Sequence, residues 1–242
     1  MTPLPASWLE IIEQNVPYAR LLSKEDRYEL GEHIQVFLAE KTFEGCGGLQ
    51  ISDEIRVTIA AQACLLLLHR TTDYYPTLRT ILVYPSAYVA PSTESVGHGV
   101  VREGLSVRLG ESWQRGPVIL SWDDVLHGAA DIHDGHNVVL HEFGHQLDQE
   151  AGAAEGAPIL PTRSMYVAWA RVLSAEYARL QEDVKHGRKT IIDKYGAVNP
   201  AEFFAVATEA FFEKPFQLRE KHPELYALLR LYYCQDPVEY SW

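Results

Sequence analysis

The stretch VVLHEFGHQLD, residues 138–148, decides the fold and the site predicted for this chain. Asn137 precedes it and is a residue type that caps helices, so the spacing predicts a helix from Val138 to about Glu150. Its apolar side chains form one face, which predicts that the helix is anchored in the core. These side chains are Leu140, Phe143 and Leu147.

Two histidines on this helix form a candidate metal site. His141 and His145 are four residues apart, so they stand one above the other on one helix face. Two imidazoles so placed can bind one Zn²⁺ at about 2.0–2.1 Å each. Glu142 is turned by about 100° from His141, where it can reach a metal-bound water without ligating the metal. This arrangement is typical of the His-Glu-x-x-His metallopeptidases, in which the glutamate is the general base.

The sequence on either side of this helix indicates further helices and a few strands. Ser23 and Asp26 resemble a capping box ahead of one helical pattern, and residues 54–70 predict a second, strongly apolar helix. Strands are predicted at 78–85, as a hairpin within 99–110, and within 115–126. Later helices are predicted at 164–185, 199–215 and around 222–233.

This order of elements predicts an α+β fold of the zincin-like type. It combines a small mixed or antiparallel sheet, the motif helix and an N-terminal helical portion. We expect residues 1–75 to form that helical portion, packed on a catalytic domain of residues 76–242, with the two making one compact unit.

Composition excludes several classes of protein. The chain has 242 residues with 21 basic and 33 acidic side chains, a net charge of −12, which argues against a nucleic-acid partner. The three cysteines have no C-x-x-C spacing, so neither a disulfide framework nor a cysteine zinc site is expected. No secretory signal is recognised, and the longest apolar run, residues 58–68, is too short to cross a bilayer. We therefore expect a cytoplasmic protein without a membrane partner.

A third metal ligand must come from a distant part of the chain. A metzincin would need glycine and histidine where Asp148 and Ala151 stand, and a glutamate about twenty residues on would fall near Met165. The candidates are three glutamates of one predicted helix, Glu202, Glu209 and Glu213. Periodicity does not choose between Glu202 and Glu209, and Glu202 also fits a capping box that begins at Asn199. A buried carboxylate on so apolar a helix needs a partner, and a metal is one.

Several segments together resemble a known family. HEFGHQLD, YGAVNPAEFFA, GPVILSWDDV and FLAEKTFEGCGGL are similar to the Mlc titration factor A family of bacterial zinc peptidases, from about residue 21 to 212. The spacing from Tyr195 to Glu202 also resembles the catalytic domain of anthrax lethal factor. The resemblance implies one Zn²⁺ bound by His141, His145 and Glu202, with Glu142 as base. It further implies that Tyr195 donates a hydrogen bond to the oxyanion.

Two more carboxylates are candidates for supporting the site. Asp148 lies three residues after His145 on nearly the same side of the helix. It either accepts a hydrogen bond from a metal-binding histidine, or orients the helix through contacts behind the metal ligands, or is a solvated aspartate. Glu209 is a second candidate for such a supporting contact. The strand within GPVILSW is a candidate edge strand for pairing with an extended peptide, or else a plain core strand.

The leading hypothesis is a zinc metallopeptidase in which Glu142 activates a zinc-bound water. The resemblance alone implies an aminopeptidase-like activity on short peptides. The alternative is a regulatory binding protein that sequesters a transcriptional repressor of sugar uptake, as the name of the family indicates, with the peptidase site subsidiary. The expected partners are thus a peptide substrate and, under the alternative, a transcriptional regulator.

Overall fold

The computed structural model describes residues 3–71, 73–86, 88–95, 101–108, 110–112, 116–150, 152 and 155–240. Its helices are α1 (Ala6–Asn15), α2 (Lys24–Glu40), α3 (Asp53–Leu65), α4 (Trp122–Ala130), α5 (Val138–Gln149), α6 (Arg163–Lys185), α7 (Pro200–Glu213), α8 (Pro215–Lys221) and α9 (Pro223–Tyr233). Its strands are β1 (Thr42–Gly45), β2 (Thr80–Tyr84), β3 (Tyr88–Ser95), β4 (Val101–Arg108), β5 (Gly110–Ser112) and β6 (Val118–Ser121). Helices and a small sheet together confirm the predicted α+β class.

Serine caps begin both of the long N-terminal helices. The Ser23 side chain accepts the Asp26 N–H at 3.0 Å at the start of α2, as the capping pattern predicted. Ser52 does the same for Ile55 at 3.3 Å at the start of α3. The predicted second helix ran to residue 70, but α3 ends at Leu65 and the chain continues in turns. Apolar side chains in this turn stay buried, which explains why the sequence pattern did not reveal the helix end.

The main sheet is mixed, with the strand order β1-β2-β6-β5. β1 and β2 are parallel, β2 and β6 are parallel, and β5 is antiparallel to β6. The strand β1 was not predicted, because its four residues alternate poorly and lie beside a glycine-rich turn.

One prediction about the strands is wrong, and one alternative that the sequence left open is decided. Of the hairpin predicted within 99–110, residues 101–108 form the single strand β4, which pairs antiparallel with the preceding β3, while residues 99, 100 and 109 lie outside the described residues. The strand within GPVILSW is β6, which has β2 on one side and β5 on the other, so it is not an edge strand. Hydrogen-bond partners of a strand are set by distant segments, which local sequence patterns do not reveal.

One apolar core joins the N-terminal helices to the motif helix. Phe143 of α5 contacts Phe37 of α2 and Tyr75, with ring centroids 5.7 and 4.9 Å apart. All three side chains are fully buried. The division at residue 75 stays a prediction, and the packing of both portions against α5 is what fixes that helix in place. In the part of the chain that the structure describes, no helix is both long and apolar enough to cross a membrane.

Candidate active site

Asn137 fixes the start of α5, the helix that carries the two histidines. Its side-chain oxygen accepts the N–H groups of Val139 and Leu140 at 3.1 and 3.0 Å, which confirms the predicted cap. Its side-chain amide donates to Gln62 Oε1 of α3 at 3.0 Å. One asparagine therefore begins α5 and ties that helix to the N-terminal part of the fold.

Helix α7 crosses α5 beside the motif. Gly144 faces α7 there, and a Cβ added to it would lie 3.6 Å from Ala205 Cα and 3.7 Å from Thr208 Oγ1. These are ordinary van der Waals distances, so the crossing is close but alanine would also fit. The two helices bring together side chains that are about sixty residues apart in the chain.

His141, His145 and Glu202 meet at this crossing. Glu202 Oε2 lies 3.1 Å from His141 Nε2 and 3.2 Å from His145 Nε2. One ligand atom from each of the three residues lies within 4.8 Å of the others. Two imidazole nitrogens and one carboxylate oxygen are a donor set for Zn²⁺ that leaves one coordination position open. The residues therefore fit a catalytic metal.

The start of α7 explains how Glu202 reaches the histidines. Asn199 Oδ1 accepts the Glu202 N–H at 2.9 Å, and Pro200 occupies the first helical position. Asn199 is thus the cap that the sequence predicted, while the Glu202 carboxylate points to the histidines. Of the three candidate glutamates, Glu202 is the one grouped with His141 and His145.

The charges at the crossing complement each other. Burial would raise the pKa of Glu202, but hydrogen bonds from His141 and His145 outweigh it and lower the pKa to about 2. For His141, burial lowers the pKa, and the hydrogen bonds to Glu202 and Glu209 reverse this and raise the pKa well above its usual value. Carboxylates thus create an environment that favours positive charge at the point where the three ligand atoms converge.

Glu209 contacts the ring nitrogen of His141 that faces away from Glu202. Its Oε1 lies 2.7 Å from His141 Nδ1, and its Oε2 accepts the Asn137 N–H at 2.6 Å. A carboxylate on Nδ1 keeps the proton on that nitrogen and leaves Nε2 free to bind a metal. Glu213, one turn further on, accepts from the Asn137 side-chain amide at 3.2 Å and does not contact the histidines.

Glutamine at these two positions should have different effects on metal binding. We expect Glu209→Gln to weaken Zn²⁺ binding about 10–100-fold, because two different carboxylate oxygens accept from His141 and Asn137, and glutamine would turn one of these acceptors into an NH2 donor. Glu213→Gln should keep the wild-type affinity, because Glu213 contacts the Asn137 side-chain amide and neither of the two motif histidines. Competition with a chromophoric chelator measures both affinities, and equal weakening would contradict this prediction.

Asp148 does not bond to a histidine side chain in the contacts that the structure gives. It is fully buried and accepts the N–H groups of Gly156 and Ala157 at 2.8 and 2.7 Å. Gly156 in turn packs on Pro200 at the start of α7, where an added Cβ would lie 2.5 Å from the Pro200 carbonyl oxygen. Asp148 therefore connects α5 to the segment that precedes Glu202, through backbone partners that the sequence did not reveal.

Glu142 and Tyr195, the two proposed catalytic side chains, differ in their exposure to solvent. Glu142 is 4% exposed on α5. Tyr195 is 52% exposed on a 3₁₀ turn at Lys194–Ala197, and its ring centroid is 6.1 Å from that of His141. Gly196 allows this turn to approach α7 closely, since a Cβ there would meet Val206 Cγ2 at 2.5 Å. The structure thus brings the exposed phenol and the buried carboxylate to one site.

Two histidines and a glutamate on crossing helices, with a second glutamate inside the motif, are the groups on which the metallopeptidase class is built. The chain belongs to the glucose-regulated metallo-peptidase M90 family, whose family model matches residues 1–234. This membership confirms the resemblance seen in the sequence and a metallopeptidase-like role with a metal cofactor.

Similar proteins span nearly the whole chain. An uncharacterized protein of Synechocystis is 45% identical over 237 residues, covering 98% of this chain and 86% of the relative. Mlc titration factor A of Pectobacterium atrosepticum is 32% identical over 227 residues, covering 93% and 84%. Mlc titration factor A of Escherichia coli is 30% identical over 243 residues, covering 98% and 88%.

Proposed function

We propose that this protein is a zinc-dependent peptidase that hydrolyses peptide bonds of short peptides in an aminopeptidase-like manner. The observation that carries the proposal is the single Glu202 oxygen within 3.1 and 3.2 Å of both histidine Nε2 atoms. Glu142, on the same helix as those histidines, supplies the acid–base group that a structural metal site would not need.

Each residue has one task in the proposed reaction. His141, His145 and Glu202 hold the metal, which when bound acts as a Lewis acid on water and on the scissile carbonyl. Glu142 takes a proton from the attacking water and passes it to the leaving amine. The Tyr195 hydroxyl donates a hydrogen bond to the carbonyl oxygen as negative charge develops on it. The exposure of Tyr195 supports this task, because substrate must approach from the solvent side.

The position of β5 supports an extended peptide substrate. β5 pairs with β6 and ends the order of the main sheet on that side, and it also lies near α5. A peptide that adds to the outer strand of a sheet is held by backbone hydrogen bonds, independent of its sequence. We therefore place substrate binding at β5 instead of at β6.

Metal content and turnover, measured together, test the proposal. Protein purified without a histidine tag should contain one Zn²⁺ at the α5–α7 site and cleave amino-acid anilides and short peptides. A chelator should remove this activity and added Zn²⁺ should restore it. N-acetylated peptides serve as the matched substrates, because an aminopeptidase needs the free amino group. Full activity in the metal-free protein would refute the zinc peptidase, and equal cleavage of blocked peptides would refute only the aminopeptidase assignment.

Tyr195→Phe should lower kcat by about 100-fold with unchanged zinc content, because removal of one oxyanion donor typically has an effect of this size. KM should change little, since the hydrogen bond forms mainly in the transition state. Tyr28→Phe is the control, as Tyr28 is also exposed but lies on α2 away from the motif. Steady-state kinetics on one anilide substrate compares the three proteins, and a change in KM alone would contradict the assigned role.

A second candidate function is the capture of a transcriptional regulator. Relatives that are about 30% identical carry the name Mlc titration factor A, which supports a regulator as partner. A net charge of −12 is compatible with competition against DNA for a repressor. If this is the main function, a catalytically inactive variant would still bind the regulator. We also propose a cytoplasmic location, which the free thiols of Cys46, Cys64 and Cys234 support.

A further inference from the structure

We propose that Asp26, Glu29 and His69 form a second site for a divalent transition-metal ion, separate from the α5–α7 site. One ligand atom from each of these residues lies within 4.8 Å of the others. In the described part of the chain, this is the one such group of histidine and carboxylate ligands besides His141, His145 and Glu202. The inference does not depend on the proposed peptidase activity.

The hydrogen bonds of His69 orient its ring as a metal ligand. His69 Nδ1 lies 3.1 Å from the carbonyl oxygen of Cys234, which can only accept, so Nδ1 carries a proton. The other nitrogen, Nε2, lies 2.7 Å from Asp26 Oδ1 and 3.7 Å from Glu29 Oε2. In a neutral ring, a lone pair would then face two carboxylates. Either a proton on Nε2 or a metal ion can balance these carboxylates, and metal-binding histidines commonly have one nitrogen on a backbone carbonyl in this way.

The backbone conformation brings Asp26, Glu29 and His69 close together. Asp26 and Glu29 are three residues apart on α2, so both carboxylates lie on one face of the helix. His69 has a φ of 62°, which is unusual for a residue with a side chain. The Glu29 Oε1 atom accepts the His69 N–H at 2.7 Å and so supports this conformation. Glu29 Oε2 remains directed at the imidazole.

The surroundings favour a metal ion that keeps water ligands. A cavity of about 590 Å³ opens at Asp26 and His69, and its wall also contains Asp236 and Glu239. Arg230 on this wall is paired with Asp236 at 3.0 Å. The net charge of the wall is therefore negative, and water has room to complete the coordination. One imidazole and two carboxylates suit Zn²⁺ or a similar first-row divalent ion.

A metal ion here would connect three parts of the chain. Asp26 and Glu29 belong to α2, His69 to the turn that follows α3, and Cys234 directly follows α9. A ligand that binds only the folded state raises its stability. We therefore expect Zn²⁺ at this site to raise the melting temperature. The ion would hold His69 against α2, and the hydrogen bond from His69 to the Cys234 carbonyl would link the end of α9 to the N-terminal helices.

Equilibrium dialysis against buffered Zn²⁺, followed by mass spectrometry of the metal content, tests the site. The wild-type protein should take up two Zn²⁺ per chain, whereas Asp26→Asn and His69→Asn should each take up one. Asparagine keeps the size of Asp26, and at His69 it tolerates a positive φ better than most residues. His186→Ala is the control, because His186 is an exposed histidine paired with one carboxylate, Glu182, and should keep two ions.

The stoichiometry separates this site from the first one. One Zn²⁺ in the wild type that is lost in Asp26→Asn would support the second site and count against the α5–α7 site. One Zn²⁺ in the wild type that both variants retain would overturn the second site, with His69 then held by a proton between two acceptors. Two ions in Asp26→Asn would also overturn it. If His69→Asn fails to fold, Asp26→Asn decides the outcome.

Discussion

Glu142→Gln is expected to keep the zinc content of the wild-type protein and to lower kcat/KM by about 10²–10⁴-fold. Glutamine has nearly the same shape as glutamate but cannot take a proton from water. The metal ligands His141, His145 and Glu202 are unchanged in this variant, so the metal should remain. Metal analysis and steady-state kinetics on the same protein preparation measure both quantities.

A matched substitution at the other end of the same helix controls for the replacement of a glutamate by glutamine. Glu150 caps the C-terminal end of α5, and its pKa is raised by burial, as expected of a partly buried carboxyl group. It belongs to no ligand group of the motif, so Glu150→Gln should keep full turnover. If the Glu142→Gln protein lost its zinc, Glu142 would be needed for metal binding, and its role as general base would not be supported. If it kept both zinc and turnover, Glu142 would not be the base.

The motif helix could be predicted because its determinants are local. Asn137 caps α5, the apolar residues repeat at helical spacing, and the observed helix at Val138–Gln149 ends one residue before the predicted end. The start of α7 follows from Asn199 and Pro200 in the same way. Cap residues act within one turn, so the sequence alone is enough to place such boundaries.

The partners of the site could not be predicted from local patterns. Three glutamates of α7 were equal candidates, and their roles depend on how α7 crosses α5. Glu202 faces both histidines, Glu209 faces the back of one, and Glu213 faces Asn137. The family resemblance, not the periodicity, selected Glu202 in the sequence. Its role as ligand stays a prediction, which the short distances from Glu202 to both histidines support.

The contacts that connect Asp148 to the start of α7 could not be predicted from the sequence either. The sequence left open whether Asp148 bonds to a histidine, orients the helix or is solvated, and it did not indicate that its oxygens accept from the backbone of Gly156 and Ala157. A glycine in AGAAEGAP is consistent with any loop. Only the packed structure shows that Gly156 lies against Pro200, two residues before Glu202.

Gly156→Ala should therefore be the most damaging of the glycine substitutions in this region. Gly156 has a φ of 71°, in which alanine is strained by about 1–2 kcal/mol. The added Cβ would also lie 2.5 Å from the Pro200 carbonyl oxygen, and relief of such a backbone clash costs about 1–3 kcal/mol. We expect the free energy of unfolding to fall by about 3 kcal/mol in total.

Gly187→Ala isolates the conformational part of this effect. Gly187 has a similar φ of 64°, but a Cβ there would meet nothing within 4 Å. This control should lose about 1 kcal/mol. Urea denaturation followed by circular dichroism compares the two variants with the wild type. Equal losses would mean that Pro200 yields to the new methyl group and that Gly156 does not hold α7 in place.

Metal affinity gives a second and more specific result for Gly156→Ala. Movement of Pro200 shifts the first turn of α7, and Glu202 lies in that turn. Under conditions in which the variant is folded, its Zn²⁺ affinity should be lower than that of Gly187→Ala, which leaves α7 untouched. A loss of stability with unchanged zinc affinity would show that the loop only stabilises the fold. A loss of both is the result expected if the loop that Asp148 holds at Gly156 and Ala157 positions Glu202 relative to the histidines.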